Sequence, residues 1–100
     1  MTDLPESELG FDWDQGNLDK NWFKHQISLK ESEEAFLDLQ GLVSADPVHS
    51  HTELRWFLLA KTKSNKLLSI FFTYRKNKIR IISVRPMSRK EKQRYENQKI

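Results

Sequence analysis

No cysteine occurs in the 100 residues, which excludes disulfides, thiolate metal sites and cysteine nucleophiles together. Such a fold is indifferent to a reducing compartment. Glycine is scarce as well: the three present are scattered, so no glycine-rich loop can cradle a nucleotide phosphate. Nor does any stretch approach the roughly 20 apolar residues that a membrane helix needs. The opening Met1-Thr-Asp-Leu-Pro-Glu-Ser-Glu is acidic where a secretion signal would be basic. The expected location is the cytoplasm, and no cofactor is expected. His49-Ser50-His51 has no third ligand at metal-binding spacing, so no metal site is expected, and no strained elbow exposes a catalytic serine.

A chain of this length builds one domain with a thin core, and its hydrophobic share of 37% is enough for that. Residues 1–10 read as a flexible acidic leader and 11–100 as the single domain. The net charge of +3 hides a strong asymmetry: residues 1–50 hold eleven acids against three lysines, whereas residues 51–100 hold fourteen Lys/Arg against three glutamates. The halves carry −8 and +11. A basic half of this density suits RNA, DNA or a strongly acidic protein, unless the acidic half folds over it and the charges cancel.

Spacing predicts helices over about 15–25, capped by Asp14, and about 29–38, where Ser28 and Glu31 form a capping box. Alternation then predicts strands over Gly41–Ala45, Glu53–Lys63, Leu67–Arg75 and Lys78–Arg85, with Lys76-Asn77 as a two-residue hairpin turn. Ser88 caps a basic tail helix from Arg89 to about Gln98. The expected fold class is α+β, with two N-terminal helices on one face of a meandering antiparallel sheet and a C-terminal helix. A two-residue turn pairs Thr73 with Arg80, Tyr74 with Ile79, Phe72 with Ile81 and Phe71 with Ile82. One face is then apolar and the other shows Thr73, Arg75, Lys78 and Arg80. Arg85 falls on the wrong side of the strand to join Arg80 unless a bulge re-aims it.

Metal-free RNA cleavage needs groups that take a proton from a 2′-hydroxyl, hold the charge gathering on phosphorus, and return a proton to the leaving oxygen. Lys24, His25, His49, Glu53, Arg55, Arg75, Arg80 and Arg85 are residues of those types. Arginine forks bind phosphate oxygens and stay charged. Strand arginines also arise simply as a solvated or ion-paired face, and Glu53 can be a base or a counter-ion to Arg55.

Several words in the chain resemble one family. Phe11-Asp-Trp-Asp14, Asn21 followed by Lys24-His25, Ile27-Ser28 with an acidic helix after it, His49-Ser50-x-x-Glu53-x-Arg55, Thr73-x-Arg75 and Arg80-Ile-Ile-Ser-Val-Arg85 are similar, in order and spacing, to BrnT toxins of type II toxin–antitoxin systems. That family sits within the RelE/ParE-like ribonuclease fold. The resemblance runs from about residue 11 to Tyr95 and departs at Gln26, where the family has a glycine, at Gln15, where it has a proline, and at Ser64-Asn65-Lys66, where it has a glycine-containing turn.

The resemblance implies a cytoplasmic bacterial endoribonuclease that arrests growth. It also implies a BrnA-like ribbon-helix-helix antitoxin that neutralises the toxin, and operator DNA bound through the complex. Lys24, His25, Glu53, Arg55, Arg80 and Arg85 are the catalytic candidates it suggests. Arg75, Lys78, Arg89 and Lys92 are expected on RNA, and Arg89, Lys90, Arg94 and Tyr95 at the antitoxin. The alternative is an inactive module of the same fold that binds an antitoxin or nucleic acid without cutting.

Overall fold

The computed structural model describes residues 10–13, 24–46 and 53–98. They form β1 (Phe11–Asp12), α1 (Leu29–Ala35), β2 (Leu42–Ala45), β3 (Trp56–Lys61), β4 (Leu67–Arg75), β5 (Lys78–Pro86) and α2 (Arg89–Asn97). The strands make one sheet in the order β1-β5-β4-β3-β2. The long apolar runs of β3, β4 and β5 pair antiparallel through short turns. At the β4–β5 turn Lys76 and Asn77 both have positive φ, 53° and 65°, the geometry of the two-residue turn whose twist matches the strands.

The expected two helices on an antiparallel meander require correction. The sheet is mixed: β1 joins its far edge parallel to β5, pairing Phe11 with Ile79 and Asp12 with Arg80. A parallel edge strand from the other end of the chain has no hairpin to announce it, so the short Phe11-Asp12 alternation carries no sign of its partner. Among the described residues a single N-terminal helix, α1, packs on the sheet. Most of the expected helix over 15–25 lies outside the described residues; Lys24-His25, at its end, are helical. The helix expected over 29–38 stops at Ala35. Its continuation bends so that Asp38 can accept hydrogen bonds from the Lys61 N–H at 2.9 Å and the Gln40 N–H at 3.0 Å.

The core lies on both sides of the sheet but unequally. Leu58, Ala60, Leu68, Ile70, Phe72, Ile79, Ile81 and Val84 bury one face under α1, with Ile27 and Ala35. Phe36 bridges to β1 and β4 through edge-on contacts with Phe11 at 5.4 Å and Phe72 at 5.0 Å. On the opposite face a smaller cluster, Leu59, Met87 and Tyr95, packs beneath α2 at one end of the sheet. Among the described residues no helix is long and apolar enough to cross a membrane.

The β4–β5 register decides which side chains share that second face. Thr73, Tyr74 and Phe72 pair with Arg80, Ile79 and Ile81 as expected, but Phe71 pairs with Ser83 in place of Ile82. A bulge therefore inserts Ile82 as an extra residue. It brings Val84 into the core opposite Ile70 and reverses the side on which every later β5 residue stands.

Candidate functional site

The bulge has a direct electrostatic result. Arg80 stands opposite Thr73 and Arg85 opposite Ser69, two pairs on one face of β4, so both arginines share the face that α2 covers only in part. Arg75, Lys78, Phe57 and Phe71 stand on that face by the same alternation. Arg55, two residues before Phe57, lines a cavity there with Phe71. Phe57 and Phe71 lie against each other with ring centroids 4.7 Å apart and form an aromatic floor bordered by cations.

Arg85 is the most firmly held of these groups. Its guanidinium sits 5.6 Å from the centre of the Phe71 ring and donates through Nη1 and Nη2 to the two carboxylate oxygens of Glu91, at 2.7 and 2.9 Å. Glu91 also accepts from the Ser69 hydroxyl and the Ser88 N–H, each at 2.8 Å. These hydrogen bonds, that of Arg85 above all, hold the Glu91 carboxyl down at about 2 against burial. Its hydrogen bond to Glu91 raises the Arg85 pKa in turn. Arg85 thus ties α2 to the sheet and places a fixed cation at the aromatic floor.

Arg80 and Arg75 make looser pairs. Arg80 Nη1 donates to Asp12 of β1 at 3.1 Å, and Arg75 Nη2 to Glu53 at 3.3 Å. Both pairs are partly exposed, where an ion pair contributes about 0.2–1 kcal/mol and a polyanion can compete for the arginine. Glu53 is therefore beside Arg75 and not only near Arg55 in sequence. The residue after it is held by the Thr73 hydroxyl, which donates to the Leu54 carbonyl at 2.6 Å.

Lys24 and His25 do not join this group. His25 lines a different cleft, of 330 Å³, with Lys66, Leu67, Pro86 and Lys92. That cleft lies at the start of β4, whereas Arg80 faces Thr73, on the order of 20 Å away at ~3.3 Å per residue. Gln26 follows with φ of 54°, the left-handed conformation that a glycine would take without strain. The Lys66 ammonium donates to the Gln26 carbonyl at 3.3 Å and pairs with Glu31 at 2.7 Å. His49-Ser50-His51 lies outside the described residues.

On α2, Arg89, Lys90, Lys92 and Arg94 are exposed. Tyr95, expected at the antitoxin, is corrected to a core residue: it has no accessible surface, and its hydroxyl donates to Asp38. Burial pushes the Tyr95 hydroxyl pKa up, and Asp38 beside it adds to the shift. Burial also works against the Asp38 charge, but the hydrogen bonds from Tyr95 and the Gln40 and Lys61 amides outweigh it and leave that carboxyl lowered.

Sequence reasoning missed the partners Glu91 and Asp12 and the cavity beside Arg55. The capping box Ser88-x-x-Glu91 was visible as a spacing, but its reach across to Arg85 was not. No curated relative matches the chain. A family model described as the ribonuclease toxin, BrnT, of type II toxin–antitoxin systems matches residues 13–91, a span that holds β2 to β5, α1 and the Arg85–Glu91 clamp. The chain belongs to the BrnT family of ribonuclease toxins of type II toxin–antitoxin systems.

Proposed function

We propose that the chain cuts RNA internally, without a metal, on the sheet face bearing Arg55, Arg75, Arg80 and Arg85. The observation that carries this reading is the Ile82 bulge, which puts Arg80 and Arg85 on one face beside the Phe57–Phe71 floor. A ribose 2′-oxygen attacks the adjacent phosphorus, the bond from phosphorus to the 5′-oxygen breaks, and that oxygen takes up a proton. The products are a 2′,3′-cyclic phosphate and a 5′-hydroxyl. Arg80, released from Asp12 by the incoming phosphate, holds the charge that gathers on the phosphoryl oxygens. Glu53 is the candidate base, because its bond to Arg75 engages one carboxylate oxygen and leaves the second for a 2′-hydroxyl.

Arg75 and Lys78, at the exposed end of the β4–β5 hairpin, hold neighbouring phosphates. Lys24, His25, Lys92 and Arg89 act away from the reacting phosphate, on the RNA strand beyond Arg85. The partner is a BrnA-like ribbon-helix-helix antitoxin that covers this cationic face and the exposed Arg89, Lys90 and Arg94, carries any operator binding of the complex, and acts in the cytoplasm. Incubating the purified chain with RNA in excess EDTA tests the chemistry. Fragments ending in 2′,3′-cyclic phosphate and beginning with 5′-hydroxyl support it; intact RNA from a chain that still binds its antitoxin means a binding module.

A further inference from the structure

We propose that the cavity between Asp46, Arg55 and Phe71 receives a guanine base of the RNA and directs cleavage to guanine-containing sites. The inference rests on the ribonuclease reading above. The cavity, open to solvent on one side, has a volume of 170 Å³, on the scale of one nucleobase, and is lined by Asp46, Arg55, Phe71, Ile82 and Ser83. It lies on the cationic face and opens beside the Arg85 guanidinium that overlies Phe71.

Three features shape it for a base. Phe71, half-buried with Phe57 against its ring and the Arg85 guanidinium over it, presents a firmly held apolar edge to the cavity, and aromatic side chains line sites that take up unstacked bases of single-stranded RNA. The Ile82 bulge sets one β5 residue outside the pairing with β4, which opens the sheet surface at this point and leaves peptide groups beside the cavity. At the other side the ladder of β2 and β3 continues one step past Ala45–Trp56, where the Asp46 N–H donates to the Arg55 carbonyl at 2.9 Å. Alternation from Leu42 and Ser44 puts Asp46 on the same face as Phe57 and Phe71.

An acceptor-only carboxylate and a donor-only guanidinium both line the cavity. Guanine matches this pair better than any other RNA base. Its N1–H and N2 amino group are adjacent donors for one carboxylate, while O6 and N7 are adjacent acceptors for one arginine fork. Adenine and cytosine would turn a ring-nitrogen lone pair toward the carboxylate, and uracil offers one donor between two carbonyls. A carboxylate has about four lone-pair positions, so Asp46 can take both guanine donors alongside contacts with its own neighbours.

The test titrates the intact chain with the 3′-monophosphates of guanosine, adenosine, cytidine and uridine, following the Phe71 ring and Ile82 methyl signals by NMR. In parallel, cleavage ends are mapped on an RNA of random sequence. The guanosine nucleotide should bind at least about tenfold more tightly than the others, the gain of one good bidentate pair. It should shift Phe71 and Ile82, and mapped ends should be enriched at guanine. Asp46→Asn should bring the four affinities together, and inosine, which lacks the 2-amino group, should weaken the response at a guanine position. The wild-type series needs no variant to fold. Equal affinities, or shifts away from Phe71 and Ile82, overturn the proposal even if RNA is cut. Selective guanosine binding with intact RNA keeps the base pocket and removes the ribonuclease reading.

Discussion

Replacing Glu91 with glutamine tests whether the clamp on Arg85 is a structural tie. Glutamine keeps the shape and the ability to serve a capping box with Ser88, so α2 retains its start while the ion pair is lost. In the folded chain the Glu91 carboxyl titrates at about 2 against an ordinary 4.5, chiefly because of its two hydrogen bonds from Arg85. At about 1.4 kcal/mol per unit, the full displacement corresponds to ~3 kcal/mol. The Arg85 side chain is 38% exposed, and solvent screening reduces this to about 2 kcal/mol. Because folding lowers the pKa, the stabilisation is complete above 4.5 and fades as pH falls toward 2. Urea unfolding at a series of pH values should find the wild type about 2 kcal/mol more stable than Glu91→Gln at neutral pH, with the gap closing in acid. Equal stability at neutral pH, or a gap that persists in acid, would refute the reasoning.

Gln26→Gly should stabilise the chain by about 0.5–1 kcal/mol, the strain of a left-handed glutamine less the added freedom of the unfolded glycine, measured as a rise in Tm. Tyr95→Phe should cost about 1–2 kcal/mol, because it removes a hydrogen bond to a charged acceptor while keeping the ring in its buried place; an unchanged Tm would remove Asp38 from that role. Reversing Lys90, Lys92 and Arg94 to glutamate should slow association with the antitoxin at low salt and flatten its salt dependence, with little change in dissociation. Wild-type association rates would show that α2 stays outside the contact.

Local patterns in the chain led to the right places for β2 to β5, the Ser28–Glu31 capping box, the Ser88 cap and three of the four named β4–β5 pairs, because alternation, turn residues and caps are short-range signals. What failed was long-range or depended on one residue of register. The parallel seat of Phe11-Asp12 beside β5 has no local cause, and the bulge at Ile82 interrupts a run of Ile-Arg-Ile-Ile in which each isoleucine is equally apolar. That single insertion also explains how Arg85 reaches the face of Arg80, the point that strict alternation could not satisfy. Residue type picked out the arginines, but not which acid each one meets. Asp12, Glu53 and Glu91 come from three separate segments and are joined to Arg80, Arg75 and Arg85 only by the folded sheet. Tyr95 was misplaced because an aromatic residue amid basic neighbours on a helix looks like a surface anchor, while its partner Asp38 lies far back in the chain.

The most direct test of the arginine face is the single-turnover cleavage rate of one defined RNA, at saturating protein, for the wild type, Arg80→Ala and His25→Ala. The account predicts a loss of about a hundredfold or more for Arg80→Ala, as when one preorganised charge-stabilising donor is removed, with its Tm close to wild type because the Arg80–Asp12 pair is partly exposed. It predicts less than about tenfold for His25→Ala, whose side chain lines the other cleft. Full activity in a folded Arg80→Ala chain, or a large loss confined to His25→Ala, would contradict the placement of the reaction on this face.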